Sequence, residues 1–517
     1  MRDMLWFAAL AVCFGACSIV TALHDCHMFQ LNSYKPREHL RWLRRTWMTD
    51  WLPRHIFAAL AALSSLLSFH AAVAGIFLFV IQTWWNRPRK AKKPLVFTSR
   101  IKRLLATGAV LHLLILWFAW RCLPAAPLVF AVALLLSPGL MLLANFVNAP
   151  LETFINRRYI EDARRILASN PNLVVIGVTG SFGKTSVKHF LQRLLSTKYN
   201  VFMTPGNYNT TLGVVRAVRE GLRPVHDVFL CEMGARNIGD IREICELVKP
   251  KHGVVTAIGP QHLESFHSLA NVISTKFELI DSLPQDGIAF LNYDSEDIRH
   301  RDVKGLTATY CLEPETADYV ARDIRVSSLG SSFMIKLANG SDAAFETRLI
   351  GRHNVLNIAG AIGVADRLGV PARDLAAAVR RLESVPHRLQ LINRGDLTII
   401  DDAYNSNATG AKAALDVLAM FDGFRILVTP GMVELGTMEE SLNREFGRQA
   451  AARCDCVVLV GEKRTRPILD GLRSAGMADE TIHVVDTIEE AFRKVYTAAS
   501  GGRRKIVLLE NDLPDNY

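Results

Sequence analysis

Apolar residues are concentrated in the first third of this chain of 517 residues. Four apolar runs precede residue 150, at roughly 5–23, 56–83, 104–120 and 126–147. Each run is close to or longer than the ~20 residues that cross a bilayer as a helix. No Asp or Glu occurs from residue 51 to residue 151, which argues against the buried helices of a soluble core. We therefore predict an α-helical membrane region over residues 1–150, with about four helices.

After residue 150 the pattern changes to short strand-like runs that alternate with helical segments. A connecting helix is predicted for "LETFINRRYIEDARRILASN", and the strand-like runs that follow are "LVVIGVT", "HDVFLCEM", "HGVVTAIG" and "GIAFLN". Such alternation predicts a parallel α/β sheet. We place a first α/β domain at residues 151–385, with a small β insertion near residues 320–350. A second, Rossmann-like α/β domain is expected at residues 386–517.

Charge also separates the two parts of the chain. Residues 1–170 contain 20 Lys and Arg against 7 Asp and Glu, whereas the remainder contains 40 against 43. A basic region beside anionic lipid explains this asymmetry, and we expect no nucleic-acid partner. The segment 84–103 carries eight Lys and Arg, so the positive-inside rule places it in the cytoplasm. We predict a multi-pass protein of the inner membrane with a cytoplasmic catalytic part.

The orientation of the predicted membrane helices is ambiguous, because two basic segments compete for the cytoplasmic side. The segment 24–55 carries six Lys and Arg, and with four spans it would lie opposite the basic segment 84–103. The positive-inside rule cannot hold for both segments. Either "REHLRWLRRTW" forms an interfacial helix, or one apolar run does not span the membrane.

The segment "GVTGSFGKTSVKHF" follows the first strand-like run and has the composition of a phosphate-binding loop. The common pattern is G-x-x-x-x-G-K-[ST], in which the first glycine would be residue 178. This chain has Val178 there, with Gly177 and Gly180 on either side. The strand before the segment and the helix after it nevertheless favour a true ATP loop.

Each residue type in this loop suits a nucleotide phosphate. Backbone N–H groups at the start of a helix can surround a phosphate. Lys184 can reach the β and γ oxygens, and the hydroxyl of Thr185 or Ser186 can hold Mg²⁺. The predicted ATP-binding residues of the loop are Gly180, Ser181, Gly183, Lys184, Thr185 and Ser186.

The form T-G-x-x-G-K-T-[ST] resembles the Mur ligase family, whose ATP-dependent members join amino acids or peptides to a carboxylate. The resemblance extends over residues 173–460 and is nearest to the MurF type. Eight further blocks occur in the family's order: "TPGNYNTTLG", "LCEMGARNIGDI", "GPQHLESFHS", "STKFELI", "LNYDSE", "GRHNVLN", "VPHRLQ" and "IIDDAYNSNATG".

The resemblance implies two Mg²⁺ ions. Together with Thr185, Glu232 would hold the first ion, directly or through water, beside the nucleotide. His262 matches the family's metal-contacting histidine, and Lys276 matches the lysine that carries a carbamate in several members. A second Mg²⁺, held by His262 and a carbamylated Lys276, would orient the acceptor carboxylate.

The resemblance also implies nucleotide contacts outside the loop. Asn354 and Asn357 would face the adenine. Arg388 and Asp402 would reach ATP from the C-terminal domain when the domains close, whereas the neighbouring Asp401 could simply cap a turn. The predicted catalytic residues are Lys184, Lys276, His262 and Arg388.

The sequence departs from the family pattern at several places, and the departure in its N-terminal part bears on the substrate. His267 stands where the family has glycine, and the C-terminal "LLENDLPDNY" differs from the "KGSR"-like end of the MurF type. Apolar runs occupy the place of the family's UDP-binding domain. The acceptor carboxylate is therefore expected to be UDP-linked, or linked to a lipid or polymer at the membrane.

The expected function is membrane-anchored, ATP-dependent amide ligation in cell-wall precursor synthesis. An acyl phosphate of the acceptor would be attacked by an amino acid or dipeptide. Two alternatives stay open: a ligase that resembles polyglutamate synthases and acts on a polymer or lipid-linked acceptor, and a P-loop ATPase module without ligase activity.

Overall fold

The computed structural model describes residues 2–64, 78, 81–84, 93–260, 263–312, 317–404 and 406–512. The chain divides into two compact units, a helical one up to Arg157 and an α/β one from Arg158 to Leu513.

The described part of the first unit is helical. A π-helical turn, Trp47–Trp51, links two of them. The described helices are α1 (Arg2–Leu31), α2 (Pro36–Thr46), α3 (Leu52–Ser64), α4 (Ser99–Arg121), α5 (Ala126–Leu135) and α6 (Ser137–Ala168), whose residues beyond Arg157 belong to the second unit.

Two of the described helices have the length and composition to cross a membrane, namely Phe7–Leu31 within α1, and α4. Helices α5 and α6 meet at 73° and would add a third crossing only if this bent pair is one broken span. The first and third predicted runs thus form helices of spanning length, and the fourth is interrupted. Most of the second run, 56–83, lies outside the described residues.

Two details of the helical unit add to what the sequence predicts. The segment "REHLRWLRRTW" is helical: all but its last residue, Trp47, lie in α2, where His39 and Trp42 are buried and stack with ring centroids 5.4 Å apart. The change of character at Pro150 does not end a helix, because α6 continues through this proline. Proline removes one helical hydrogen bond and clashes with the preceding turn, and α6 accommodates both effects at Pro150.

The second unit begins with a nine-stranded sheet in the order β2-β3-β1-β4-β5-β6-β7-β8-β9. The four predicted strand-like runs are confirmed as β1, β3, β4 and β5. The strands are β1 (Val174–Thr179), β2 (Val201–Met203), β3 (Val228–Glu232), β4 (His252–Val255), β5 (Ile288–Asn292), β6 (Leu306–Cys311), β7 (Tyr319–Ser327), β8 (Gly330–Lys336) and β9 (Asp342–Thr347).

The expected small β insertion is an extension of this same sheet. Strands β1 to β6 are parallel, and β7 joins β6 in parallel through Tyr310 and Tyr319, whereas β8 and β9 follow as antiparallel hairpins. Alternation along β8 buries Phe333 and Ile335 on one face, which adds these strands to the core of the domain.

Helices cover both faces of the nine-stranded sheet, as parallel sheets require. One apolar core contains side chains of α7, α13 and α14, and the other contains side chains of α8, α9 and α11. The helices are α7 (Lys184–Leu195), α8 (Thr211–Gly221), α9 (Asp240–Val248), α10 (Leu263–Phe266), α11 (Leu269–Asp281), α12 (Glu296–Arg299), α13 (Arg352–Arg367) and α14 (Ala372–Arg380).

A second sheet of six strands follows residue 386, in the order β10-β11-β15-β12-β13-β14. It is parallel except for the edge strand β10. Its elements are β10 (Gln390–Arg394), β11 (Leu397–Asp402), α15 (Ala408–Leu418), β12 (Phe424–Thr429), α16 (Glu439–Ala451), β13 (Cys456–Val460), α17 (Glu462–Ser474), β14 (Ile482–Val485), α18 (Ile488–Thr497) and β15 (Lys505–Glu510).

Candidate active site

The loop between β1 and α7 has the backbone of a phosphate cradle. Gly180 and Gly183 have φ values of +148° and +78°. A Cβ atom on Gly180 would lie 2.1 Å from Thr256 Oγ1, and one on Gly183 would lie 2.7 Å from Asn357 Oδ1. Glycine is therefore required at both positions, and the turn leads into the N-terminus of α7, where backbone N–H groups attract anions.

Ser181 fastens this loop to the segment that follows β4. Its N–H donates to Ala257 O at 2.6 Å, and its hydroxyl donates to Gly259 O at 3.0 Å. Because the Ser181 side chain is buried, its contribution is to hold the loop in position.

Lys184 is the first residue of α7 and lies over the loop. Its Nζ donates to Gly180 O at 2.6 Å and to Ser181 O at 3.1 Å. Burial of the ammonium group lowers the pKa of Lys184 to about 8; Arg388 adds to this shift and Glu232 opposes it. A phosphate at the loop would supply the negative charge that favours the ammonium form.

An oxygen pair beside the loop fits a magnesium ion. Thr185 Oγ1 lies 3.3 Å from Glu232 Oε1, and Ser186, the next residue of α7, is half-buried. Mg²⁺ prefers oxygen ligands and is usually held by one or two protein groups together with substrate phosphates. Thr185 and Glu232 would hold the ion, and the ion would supply positive charge to the transferred phosphate.

Two residues missed in the sequence also contact Glu232. Asn209 Nδ2 donates to Glu232 Oε1 at 3.1 Å, and Lys188 Nζ lies 3.0 Å from Glu232 Oε2. Lys188 is fully buried and also donates to the carbonyl oxygens of Thr204 and Gly206, both at 2.8 Å. The spacing Lys184-x-x-x-Lys188 places both lysines on one helix face and was the available signal.

Burial opposes ionisation of Glu232, yet the charges of Lys188 and Lys184 hold the pKa of this carboxyl below its usual range. Glu232 is therefore a carboxylate at neutral pH. A buried carboxylate with this surrounding charge can ligate a cation without first losing a proton.

Lys276 on α11 is buried beside the loop lysine. Burial, together with the charge of Lys184, holds the pKa of Lys276 well below its usual range. The uncharged amine is the form that reacts with carbon dioxide, so the environment suits a carbamate. His262, its predicted metal partner, lies outside the described residues.

The two predicted adenine-side asparagines lie in the first two turns of α13. Asn354 is buried, and its Nδ2 donates to Ile350 O at 2.9 Å. Asn357 is half-buried against Gly183. Helix α13 thus brings Asn357 to the phosphate loop, whereas the Asn354 side chain caps the turn before its own helix.

The linker to the C-terminal domain places Arg388 near the loop. The guanidinium of Arg388 lies 4.4 Å from the centroid of the Tyr404 ring, and its charge reaches both Lys184 and Asp402. The backbone N–H of Leu389 donates to Asp402 Oδ1 at 3.2 Å. The structure therefore brings Arg388, Asp402 and the phosphate loop into one neighbourhood.

Asp401 has the turn-capping role that its position suggested. Its Oδ1 accepts the backbone N–H of Ala403 at 3.1 Å, while its Oδ2 lies 2.8 Å from His387 Nδ1. His387 and Leu389 both have positive φ, at +60° and +48°. The carboxyl groups at the end of β11 thus fix an unusual backbone path in the linker.

Glu510 is a third residue that sequence reasoning missed. It lies directly opposite Asp402 across the parallel strands β11 and β15, and it is almost fully buried. Burial raises the pKa of Asp402 to about 6, and burial together with Asp402 raises the pKa of Glu510 well above its usual range. The departure from the "KGSR"-like end was the signal in the sequence.

Comparison with known proteins agrees with this geometry. The family model "Mur ligase middle domain" matches residues 178–365, and "Mur ligase, glutamate ligase domain" matches residues 387–509. The UDP-N-acetylmuramoyl-tripeptide–D-alanyl-D-alanine ligase of Escherichia coli K12 is 33% identical over 332 residues, which are 62% of this chain and 73% of that protein. The ligase of the same name from Bacillus subtilis 168 is 34% identical over 53% of this chain and 59% of its own length.

Solved structures show the same relationship. MurF from Acinetobacter baumannii superposes with a TM-score of 0.61 at 25% identity, over 68% of this chain and 76% of that one. MurF from Thermotoga maritima in complex with ADP gives 0.61 at 26%, over 69% and 80%.

The chain therefore belongs to the Mur ligase family, a family of ATP-dependent ligases. Within that family, the relatives and structures just described are of the MurF type. The chain spans about three fifths of the length of the Bacillus relative.

Proposed function

We propose that this chain is a MurF-like ligase that joins D-alanyl-D-alanine to the terminal carboxylate of a UDP-linked muramoyl tripeptide. The observation that carries the proposal is the joint presence of the Gly180–Lys184 cradle, the Thr185–Glu232 oxygen pair and Arg388 in one site. The names of the E. coli and B. subtilis relatives supply the substrates.

The proposed reaction has two steps. The acceptor carboxylate attacks the γ-phosphorus of ATP, so that an acyl phosphate forms and ADP leaves. The amine then attacks the acyl carbon, the C–N bond forms, and the C–O bond to phosphate breaks. Lys184 and Arg388 supply positive charge to the transferred phosphate, and closure of the site keeps water from the acyl phosphate.

Lys276 has a separate role in the proposal. Its buried, uncharged amine takes up carbon dioxide, and the resulting carbamate would hold a second Mg²⁺ together with His262 beside the acceptor carboxylate. The carbamate anion would also sit favourably beside the Lys184 ammonium, whose charge helps to lower the pKa of Lys276.

We also propose that the chain is anchored in the inner membrane. It rests on α1 and α4, which are long and apolar enough to span, and on the basic segment 84–103. The same helices favour a second candidate, a ligase whose acceptor is linked to a lipid or polymer at the cytoplasmic surface.

The test is whether ADP release requires both substrates. The full chain in detergent is supplied with Mg-ATP, and ADP is measured with the carboxylate acceptor and the amine added singly and together. Release that depends on both substrates supports a ligase. Equal release without either substrate identifies an ATPase and overturns the proposal.

Acceptor choice is tested in the same preparation. UDP-linked tripeptide and a lipid extract of cell-wall precursors are offered separately with D-alanyl-D-alanine, and the products are identified by mass spectrometry. Product from the UDP-linked peptide supports the MurF-like reading, whereas product from the lipid extract alone supports the membrane-linked acceptor.

A further inference from the structure

Helix α6 carries a stripe of exposed apolar side chains in its first half. The spacing of these residues is i, i+3, i+4 and i+8, which places them on one face of a helix. Their exposed fractions lie between 45% and 76%. A contiguous exposed apolar face marks a surface that binds a protein or a membrane. The apolar stripe of α6 consists of Leu143, Phe146, Val147 and Leu151.

The opposite face of this segment is polar and is held by α4. Asn148 Oδ1 accepts the hydroxyl of Thr107 at 2.8 Å. The buried carboxylate of Glu152 accepts two hydrogen bonds from Arg103, at 2.7 and 2.9 Å. A bidentate pair of arginine and carboxylate fixes the geometry of both side chains. The rotation of α6 about its own axis is therefore set, with the apolar stripe facing away from α4.

The polar contacts of α6 also fix its level along the two helices of spanning length. At the start of α6, Ser137 donates to Asp25 Oδ2 at 3.1 Å, and Glu152 meets Arg103 farther along. Asp25 lies just beyond the apolar run 5–23 of α1, and Arg103 directly precedes the apolar run 104–120 of α4. The segment therefore begins and continues at the level where both apolar runs end. A helix along the membrane normal would instead rise by about 22 Å between Ser137 and Glu152.

The bend between α5 and α6 agrees with this course. Phe130 of α5 stacks on Phe14 of α1 with ring centroids 4.5 Å apart, so α5 lies at the depth of the apolar runs. Helix α6 then leaves α5 at 73°. The turn takes α6 away from the direction of α5 and along the level of Asp25.

Basic residues surround this level of the helical unit. Gln30 Nε2 donates to Val96 O at 2.9 Å, and the Val96 N–H donates to Gln30 Oε1 at 3.0 Å. The chain that follows α1 and the chain that precedes α4 thus lie at the same end of the unit, so the positive-inside rule can hold for both. Anionic lipid headgroups attract such residues. The exposed cations described there are Lys35, Arg37, Arg41, Arg44, Arg45, Lys93 and Lys102.

We propose that residues 137–157 of α6 form an interfacial helix and not a membrane crossing, and that the apolar stripe enters an anionic leaflet at the boundary between headgroups and acyl chains. An apolar helix face accompanied by Lys and Arg binds this boundary, at a depth of about 5–10 Å. The inference rests on the proposed membrane anchorage and names a surface through which the chain binds lipid.

The depth of two positions on the stripe tests the inference. The full chain is reconstituted in vesicles of phosphatidylcholine and phosphatidylglycerol, with a fluorescent amino acid in place of either Leu143 or Leu151. Phospholipids that carry a nitroxide at known depths quench the probe. The two positions are eight residues apart, about 12 Å along a helix. A helix inclined by 73° to the membrane normal places them within about 4 Å in depth, whereas a crossing separates them by about 12 Å.

A reference probe and matched variants complete the experiment. Val12, which is exposed within the apolar run of α1, should be quenched by the deepest nitroxide. Phe146→Asp should lower the quenching of the Leu151 probe at least twofold. Leu329→Asp changes an exposed apolar residue between β7 and β8 and should leave it unchanged. Thermal melting shows whether Phe146→Asp is folded, and if it is not, the two probe depths in the otherwise native chain decide.

The contrary outcomes are distinct from one another. A depth difference of about 12 Å would identify a crossing. Quenching at Val12 without quenching at Leu143 or Leu151 would show that protein covers the stripe. Equal quenching of the α6 probes in vesicles of phosphatidylcholine alone would exclude the preference for an anionic leaflet. Each of these results overturns the inference, while an unquenched Val12 probe overturns the membrane anchorage itself. The measurement uses no ligase substrate, so failure of ligation appears separately.

Discussion

Loss of the buried Lys188 ammonium should destabilise the α/β unit strongly. Lys188→Met keeps much of the side-chain volume but leaves Glu232 as a buried carboxylate without its nearest cation, 3.0 Å away. It also removes the donor to the carbonyl oxygens of Thr204 and Gly206. Removal of one partner from a buried ion pair costs about 3–5 kcal/mol.

The expected fall in melting temperature distinguishes the buried Lys188 from a lysine on the surface. At about 1.3 °C per kcal/mol for a unit as large as Arg158–Leu513, the melting temperature should fall by about 5 °C. Lys412→Met, which removes an exposed lysine from α15, should change it by less than about 2 °C, since exposed charges contribute little. The assay is thermal melting of the full chain in detergent, followed by fluorescence.

A double-mutant cycle identifies the cause. Because Lys188→Met/Glu232→Gln has neither charge, it should regain a large part of the stability that Lys188→Met loses. Strictly additive losses, or a Lys188→Met variant as stable as Lys412→Met, would refute the role of the ion pair.

The other predictions concern individual site residues. Lys184→Ala should abolish ATP turnover in a protein that still melts like wild type; normal turnover would remove the loop from the mechanism. Lys276→Ala should lose ligation and regain part of it with acetate, and no rescue together with an unmodified Lys276 in a high-resolution map would exclude the carbamate. Because the folded-state pKa of Asp402 is raised from 3.8 to about 6, its contribution to the free energy of unfolding should be lost as pH rises across that interval, and Asp402→Asn should flatten the curve in urea titrations. His267, at φ +63°, should tolerate replacement by glycine with a gain of about 1 kcal/mol, and a loss of stability would contradict the strain.

The sequence was sufficient for the strands and the loop because their signals are local. A short apolar run followed by a helical pattern, as before and after Gly180, is typical of a buried strand in an α/β unit. The glycines of the loop can likewise be recognised from the adjacent sequence, without knowledge of their spatial neighbours. The continuation of α6 through Pro150 could not be predicted in this way, because proline is by itself a local helix breaker.

Site residues whose partners are distant in the chain could not be predicted from local sequence patterns. Lys188 reads as an exposed residue of an amphipathic helix until β3 places Glu232 against it. Glu510 becomes a partner of Asp402 only through the pairing of β11 with β15, which lie more than a hundred residues apart in the chain. From the sequence alone, His267 is only a substitution for the glycine of the family pattern. Its positive φ shows that this position has a backbone conformation that favours glycine.

Oxygen transfer from the acceptor to phosphate tests acyl-phosphate ligation most directly. The full chain in detergent is supplied with Mg-ATP, D-alanyl-D-alanine and a UDP-linked tripeptide whose terminal carboxylate carries ¹⁸O at both oxygens, and the released phosphate is analysed by mass spectrometry. The proposed route predicts one ¹⁸O atom in each phosphate, formed together with the amide product. Unlabelled phosphate would contradict it, because the phosphate would then have been transferred to water.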